Sequence, residues 1–107
     1  MHRRVVIAVF PRIQALDLVG PLEVFHAAHL HLGDGQGYRV EVVAESADTV
    51  VTSSGLSLLP HRTFASVRGP IDTLVIAGGE GARAAAHEPS VKAWVRRGLL
   101  SLRECMA

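Results

Sequence analysis

Asp17 is the first residue whose position could support chemistry, because it lies between a stretch typical of a buried strand and a stretch typical of a helix. One interpretation makes it the N-cap of that helix, where its side chain would accept a backbone N–H and stabilise the fold by ~1 kcal/mol. The other makes it a site residue, since a carboxyl group buried among Ile13, Leu16 and Leu18 could shuttle a proton. The spacing leaves both interpretations open.

A glycine-rich turn offers a second kind of chemistry. The residues from Gly79 to Ala84 match G-x-G-x-x-A, the pattern with which some α/β proteins hold a dinucleotide. Pro89 would cut the following helix short, and the acid expected about 20 residues later has only Glu104 as a candidate. The pattern therefore predicts either a turn whose N–H groups hold an anion or oxyanion, or a purely structural tight turn.

The histidines and the cysteine are weaker candidates. His26 and His29 share a helix face, but no carboxylate or cysteine joins them at the spacing of a metal site, so we expect no metal and no other cofactor. Cys105 lies near the end of the sequence, with no predicted helix after it to stabilise a thiolate. We expect it to be an incidental cysteine rather than a nucleophile.

Composition and charge exclude several classes of protein. The chain has 107 residues, of which 49% are hydrophobic and 20% charged, as is typical of one globular domain. The formal net charge of +1 gives no basic stripe for nucleic acid. A single cysteine excludes an internal disulfide, and no apolar run is long enough for a signal sequence or a membrane span. We expect a cytoplasmic protein that inserts into no membrane and binds no DNA directly.

Apolar periodicity predicts the elements that must position these residues. Continuous apolar runs predict strands at residues 5–10, 38–44 and 72–77, since strands covered on both faces are typical of parallel sheets. Helical spacing predicts one helix with Pro21 in its first turn and another with Ser90 as N-cap. A small β-hairpin is expected around Gly55, with irregular chain from Pro60 to Pro70. The fold class is therefore α/β, with a short, mostly parallel sheet flanked by helices.

The last predicted helix raises a question about the sheet. If residues 99–102 belong to that helix, only three central strands remain, and one apolar strand has an uncovered edge. Such edges pair with other chains. The sequence therefore predicts a homo-oligomer.

Three blocks of sequence resemble a known family when they are taken together: VVIAVFPRIQALDLVGPLEVFHAA, VTSSGLSLLPHRTF and DTLVIAGGEGA. They are similar to the ThiJ/PfpI superfamily, which has a flavodoxin-like, class I glutamine-amidotransferase-like fold. Within it, the likeness is greatest to the N-terminal sensor domains of AraC-type transcriptional regulators, with bacterial isocyanide hydratases as near neighbours. The resemblance runs from about Val5 to about Arg97.

The resemblance implies roles for individual residues. Asp17 matches the acid that faces the reactive cysteine of the family and that looks like a proton donor or acceptor in the hydratases. Gly78 and Gly79 match the turn whose N–H groups point into the same pocket, and Glu80 joins them in the implied ligand-binding set. Glu23 matches a frequent helix acid, which we interpret as structural. The implied ligand is a small molecule.

The sequence departs from the family pattern after Arg97. The family's cysteine lies on a strand-to-helix elbow, in a Ser-Val-Cys-Thr-Gly-like block that is missing here, as are the two helix-turn-helix units of a regulator. We therefore expect residues 1–107 to be the truncated first half of such a domain, with a divergent tail at 98–107. The expected function is ligand sensing without catalysis. The alternative is a small hydrolase or isocyanide-hydratase-like enzyme with Asp17 as acid or base and the Gly78–Gly79 turn as oxyanion site.

Overall fold

The computed structural model describes residues 2–33, 35–100 and 102–106, with the side chains of residues 2–33 and 35–97. The helices are α1 (Ala15–Leu32), α2 (Glu80–Ala85) and α3 (Pro89–Leu100). The strands, in chain order, are β1 (Arg3–Ala8), β2 (Tyr38–Ala44), β3 (Val50–Val51), β4 (Ser57–Leu58), β5 (Arg62–Thr63), β6 (Ile71–Ile76) and β7 (Leu102–Met106).

Parallel pairing joins five of these strands into one sheet in the order β5-β2-β1-β6-β7. Val5 of β1 lies opposite Val40 of β2 on one side and Thr73 of β6 on the other. The apolar runs therefore form central strands, and the predicted α/β class with a parallel sheet is confirmed. The β1–α1–β2 and β6–α3–β7 crossovers run in opposite directions from the centre. Right-handed crossovers place their helices on opposite faces.

Strand β7 corrects the expectation of an uncovered edge on the third central strand. Helix α3 ends at Leu100, and β7 then pairs with β6, with Leu102 opposite Ile71 and Cys105 opposite Leu74. The edge of β6 is thus covered along most of its length. An uncovered edge of β6 is therefore no longer a reason to expect a homo-oligomer.

The core lies around β1, whose side chains from Val5 to Ala8 are fully buried. On one side, Phe64 stacks on Trp94 of α3 with ring centroids 4.4 Å apart. On the other side, Phe25 of α1 meets Tyr38 of β2 edge-on at 5.0 Å. Aromatic contacts of this kind add to the free energy gained by burying the rings, so both helices are held against the sheet.

Both long helices begin earlier than predicted. Gln14 is the N-cap of α1, so Asp17 lies in the first turn without capping it, and Pro21 lies inside the helix. Proline in a helix interior removes one backbone hydrogen bond, but Leu18 and Phe25 pack against the core on either side of it. This packing keeps the helix continuous. Helix α3 likewise begins at Pro89, and the Ser90 hydroxyl donates to Glu45 at 2.7 Å instead of capping.

The hairpin is confirmed, since β3 and β4 pair antiparallel and Gly55 has a φ of 91°. The segment predicted to be irregular contains β5, which pairs with the end of β2, and a 3₁₀ turn at Phe64–Ser66. A two-residue strand carries too little periodicity to be detected in sequence. Within the described residues, no helix is long and apolar enough to span a membrane.

Candidate functional site

The chain turns sharply after β1 at the carboxyl edge, the end of the sheet where β1 and β6 finish. Arg12 has a positive φ of 67°, a conformation that a non-glycine residue keeps only when its surroundings hold it. Its N–H donates to the Val51 carbonyl at 2.8 Å, and its carbonyl accepts the Gly81 N–H at 3.1 Å. The hairpin and the glycine turn therefore both hold the loop that leads to Asp17.

Two further backbone hydrogen bonds fix the start of α1. The Gln14 N–H donates to the Gly78 carbonyl at 3.0 Å, and the Ser53 N–H donates to the Ile13 carbonyl at 2.9 Å. The Ile13 side chain between them is fully buried. The residues just before α1 are thus tied both to the turn after β6 and to the hairpin.

Close backbone approach accounts for two of the glycines in the turn. A Cβ at Gly81 would overlap the Pro11 carbonyl oxygen and lie 2.8 Å from the Arg12 carbonyl carbon. A Cβ at Gly79, whose φ is 109°, would lie 2.6 Å from the Gln14 nitrogen. These two residues therefore have a structural reason to be glycine, as one of the two predicted interpretations of the turn required.

Gly78 is the point at which Asp17 meets the turn. A Cβ there would lie only 2.8 Å from the Asp17 Oδ2, so the carboxylate occupies the space beside Gly78 that a side chain would need. The prediction that Asp17 is buried among apolar neighbours was wrong. Asp17 and Leu16 are exposed, while Ile13 and Leu18 are buried. The reason is the earlier helix start, which points Asp17 away from the core. The structure nevertheless brings together Asp17 and Gly78, two of the residues predicted for the site.

Backbone donors lie beside this carboxylate. The N–H groups of Gly78, Gly79 and Glu80 donate to no acceptor among the residues that the structure describes. Gly79 and Glu80 are exposed. The carboxyl edge thus presents an acceptor, the Asp17 carboxylate, next to a short run of donors. Such a pair can bind a polar group that both donates and accepts hydrogen bonds.

Two of the histidines accept hydrogen bonds from β2. His29 accepts the Tyr38 N–H at Nδ1 over 3.1 Å, and His61 accepts the Val42 N–H at Nδ1 over 2.8 Å. Both imidazoles thus complete the hydrogen bonding of β2. Within the described part of the chain, no three metal-ligating side chains come together.

Cys105 is the next-to-last residue of β7, and its backbone lies short of the carboxyl edge. No strand was predicted around Cys105, so β7, which begins at Leu102, is an addition to the predicted elements. The backbone of Cys105 is in register with Leu74, four residues before Gly78. At a rise of roughly 3.3 Å per residue, that is about 13 Å short of the turn.

A second cluster was missed by the sequence analysis. Glu41 is buried in β2, where its carboxylate accepts the Arg4 Nε–H at 2.7 Å and the Arg62 Nε–H, with Arg39 Nε at 3.8 Å. Burial raises the pKa of the Glu41 carboxyl, but the hydrogen bonds and charge of these arginines lower it by more, so that the pKa lies below its ordinary value.

A signal for this cluster was present in the sequence. Arg4 directly precedes one predicted strand, Arg39 is the second residue of another, and Glu41 interrupts the apolar run of the latter. Parallel pairing brings the first residues of such strands to one end of the sheet, here called the amino edge, where Arg4 lies opposite Arg39. Arg62 could not be placed because β5 was not predicted.

Comparison with known proteins gives one family and one curated relative. The DJ-1/PfpI family pattern matches residues 3–105. The Streptomyces lividans protein named "Uncharacterized protein in cpoL 5'region" is 40% identical over 77 residues, which cover 72% of this chain and 52% of that protein. The chain thus spans about half the length of the curated relative that it matches.

Solved structures show the same fold. A THiJ/PfpI family protein from Pseudomonas syringae superposes with a TM-score of 0.80 at 26% identity, over 98% of this chain and 41% of that one. A putative transcriptional regulator from Vibrio parahaemolyticus gives 0.74 at 20%, over 97% and 54%. An AraC family transcriptional regulator from Pseudomonas putida gives 0.59 at 22%, over 72% and 40%. The last two likenesses concern the fold alone.

Proposed function

This chain belongs to the DJ-1/PfpI family, and we propose that it is a ligand-sensing domain related to those of AraC-type transcriptional regulators. The observation that carries the proposal is the contact of the Asp17 carboxylate with Gly78, beside the N–H groups of Gly79 and Glu80. Regulator-like structural neighbours support the kind of domain. The sensing role itself rests on the chemistry of the carboxyl edge.

The proposed ligand is a small, neutral, polar molecule. Asp17 and Glu80 both bring negative charge to the exposed turn, so an anion would be repelled even though N–H donors face it. A carboxamide avoids this conflict, because its N–H can donate to the Asp17 carboxylate while its carbonyl accepts from the turn. A donor next to an acceptor is therefore the feature by which the site would select its ligand.

The position of Cys105 supports binding without catalysis. The backbone of Cys105 lies about 13 Å short of the turn along the strand direction. Acyl transfer in such a site would need a thiolate within hydrogen-bonding reach of an acid or base. Replacement of Cys105 by Ser is therefore expected to leave ligand binding unchanged.

A second candidate function is a small hydrolase or isocyanide-hydratase-like enzyme. It is favoured by the same contact, because a carboxyl group beside backbone N–H donors can serve as acid or base next to an oxyanion site. Water would have to be the nucleophile. Turnover of an isocyanide that is lost in Asp17→Asn and kept in Cys105→Ser would establish this function in place of sensing.

Acetamide is a suitable probe for the proposed site. Addition of acetamide to the isotope-labelled chain is expected to shift the backbone amide signals of Gly78, Gly79 and Glu80. The shifts should be far smaller in Asp17→Ala. Glu23→Ala is the matched control, since Glu23 is an exposed acid on the same helix. Shifts that arise elsewhere, or that persist unchanged in Asp17→Ala, would refute the proposal.

We also propose that the chain forms a homo-oligomer through α1. The outer face of this helix carries exposed Leu16, Val24 and Leu30, with 67%, 67% and 69% of their surfaces accessible. A helix that is apolar on both faces is normally buried on both. Light scattering should show a dimer or larger species that Val24→Glu with Leu30→Glu dissociates; a monomeric parent chain would contradict this.

We place the chain in the cytoplasm, where its single cysteine would stay reduced. We further propose that this chain alone does not bind DNA in a sequence-specific way, because its formal charge is only +1. A mobility-shift assay tests this, and a sequence-specific shift would overturn it.

A further inference from the structure

Four arginines gather at the amino edge, far from the proposed ligand site. Together with Ser66, Gly69 and Pro70 they line one open cavity of about 390 Å³. We call them the arginine cluster: Arg4, Arg39, Arg62 and Arg68.

Strand register explains why these side chains meet. Arg4 lies opposite Arg39, Val6 opposite Glu41, and Val43 opposite Arg62. Alternate residues of a strand share a face, and residues in register on neighbouring strands share it too. The charged residues of β1, β2 and β5 therefore lie on one face of the sheet. Arg62 begins level with Val43, near the end of β2, and its side chain reaches back to Glu41. Three of the four arginines are thus placed by the sheet, and Arg68 is placed by the loop before β6.

The charges of the cluster are not balanced. Glu41 is the carboxylate that contacts three of the arginines. Asp72 is close as well, because its Oδ2 accepts the Arg4 backbone N–H at 2.7 Å. Three guanidinium groups thus surround Glu41, while that of Arg68 donates to the Ala65 and Val67 carbonyls, so four positive charges are set against two carboxylates. The excess of positive charge is local, since the whole chain has a net charge of only +1.

Glu41 also leaves much of the hydrogen-bonding capacity of the cluster unused. It engages Arg4 and Arg62 through Nε. Arg4 Nη1 donates to the Arg68 carbonyl, which ties the loop before β6 to β1. Among the described residues, no acceptor receives the terminal nitrogens of Arg39 or Arg62. Their side chains are 62% and 43% exposed, so these donors face the solvent at the cavity.

We propose that the arginine cluster binds the phosphate group of a small molecule. The planar, forked donors of arginine match the tetrahedral oxygens of phosphate, and these charge-assisted hydrogen bonds are stronger than neutral ones. A doubly charged oxyanion matches the unbalanced charge better than a single carboxylate does. Glu41 holds Arg4 and Arg62 in position, so part of the entropy cost of ordering them is met before the ligand arrives.

Inorganic phosphate is the probe for this site. Calorimetry or amide shifts should detect its binding to the full chain in a chloride background of constant ionic strength. Arg39→Ala is expected to weaken the affinity about tenfold, since it removes one charged donor. It should leave the fold intact, because Arg4 and Arg62 still pair with Glu41. The phosphate affinity of Arg39→Lys should lie between those of the wild type and Arg39→Ala, because lysine keeps the charge but lacks the forked donors.

Two controls separate specific binding from general attraction. Arg83→Ala removes an exposed arginine of α2 and should leave the phosphate affinity unchanged. Asp17→Ala should also leave it unchanged, so the amino edge is tested independently of the carboxyl edge. The proposal is refuted if chloride binds to the cluster as tightly as phosphate does. It is also refuted if Arg39→Ala and Arg83→Ala weaken phosphate binding equally.

Discussion

The two ends of the sheet are built in different ways. The carboxyl edge is made by the backbone, through the Arg12 conformation, the hydrogen bond from Gln14 to Gly78, and glycines that admit close approach. The amino edge is made by side chains, with Glu41 buried among arginines. The first should therefore respond to changes of shape and the second to changes of charge.

This difference has a physical origin. Backbone groups at the carboxyl edge are fixed by hydrogen bonds of about 3 Å to neighbouring segments. An added atom would therefore overlap neighbouring atoms that are held in place. Charged side chains at the amino edge are partly solvated, since Arg62 is 43% exposed. Solvent and salt can there offset part of a lost interaction.

The largest effect is expected from Gly81→Ala. Its Cβ would overlap the Pro11 carbonyl and press on Arg12, so the loop before α1 would have to move. We expect a loss of about 3 kcal/mol or more in the free energy of unfolding, measured by urea titration. Gly20→Ala is the control, because no atom lies within 4 Å of its added Cβ, and it should stabilise α1 by about 0.5–1 kcal/mol. Equal effects would contradict the account of the carboxyl edge.

Glu41→Gln should cost about 2–3 kcal/mol, less than the loss of a fully buried pair because the arginines are partly exposed. The effect should depend on pH. The folded state lowers the pKa of Glu41, so its contribution is complete above pH 4.5 and is lost as the pH falls further. Urea titrations at several pH values should show the gap between wild type and variant narrowing in acid; a constant gap would contradict this.

His61→Ala should cost about 1–2 kcal/mol, because it leaves the buried Val42 N–H without its acceptor. His87 is exposed on the turn after α2, and His87→Ala should change the stability by less than about 0.5 kcal/mol. Thermal unfolding of both variants provides the comparison. A harmless His61→Ala would mean that β2 does not need this imidazole as an acceptor.

Asp17→Asn should have the smallest effect on stability, within about 0.5 kcal/mol, because Asp17 is exposed and caps no helix. The same variant should weaken acetamide binding, since the amide is a poorer acceptor than the carboxylate. A large loss of stability without a loss of binding would assign Asp17 a structural role instead.

The sequence predicted the central strands well because their apolar runs record burial on both faces. It placed the start of α1 too late, since the packing that tolerates Pro21 inside a helix is tertiary. The family resemblance assigned Asp17 and Gly78 to one pocket, but it did not indicate that Asp17 is exposed. The arginine cluster was missed because Arg4, Glu41 and Arg62 are distant in sequence and meet only through strand register.

The most direct test of the account is a two-probe titration of the wild type, Asp17→Ala and Arg39→Ala, read from backbone amide shifts. Asp17→Ala is expected to lose the response to acetamide and to keep the response to phosphate. Arg39→Ala is expected to lose most of the response to phosphate and to keep the response to acetamide. If either variant lost both responses or neither, the carboxyl and amino edges would not be two separate binding sites.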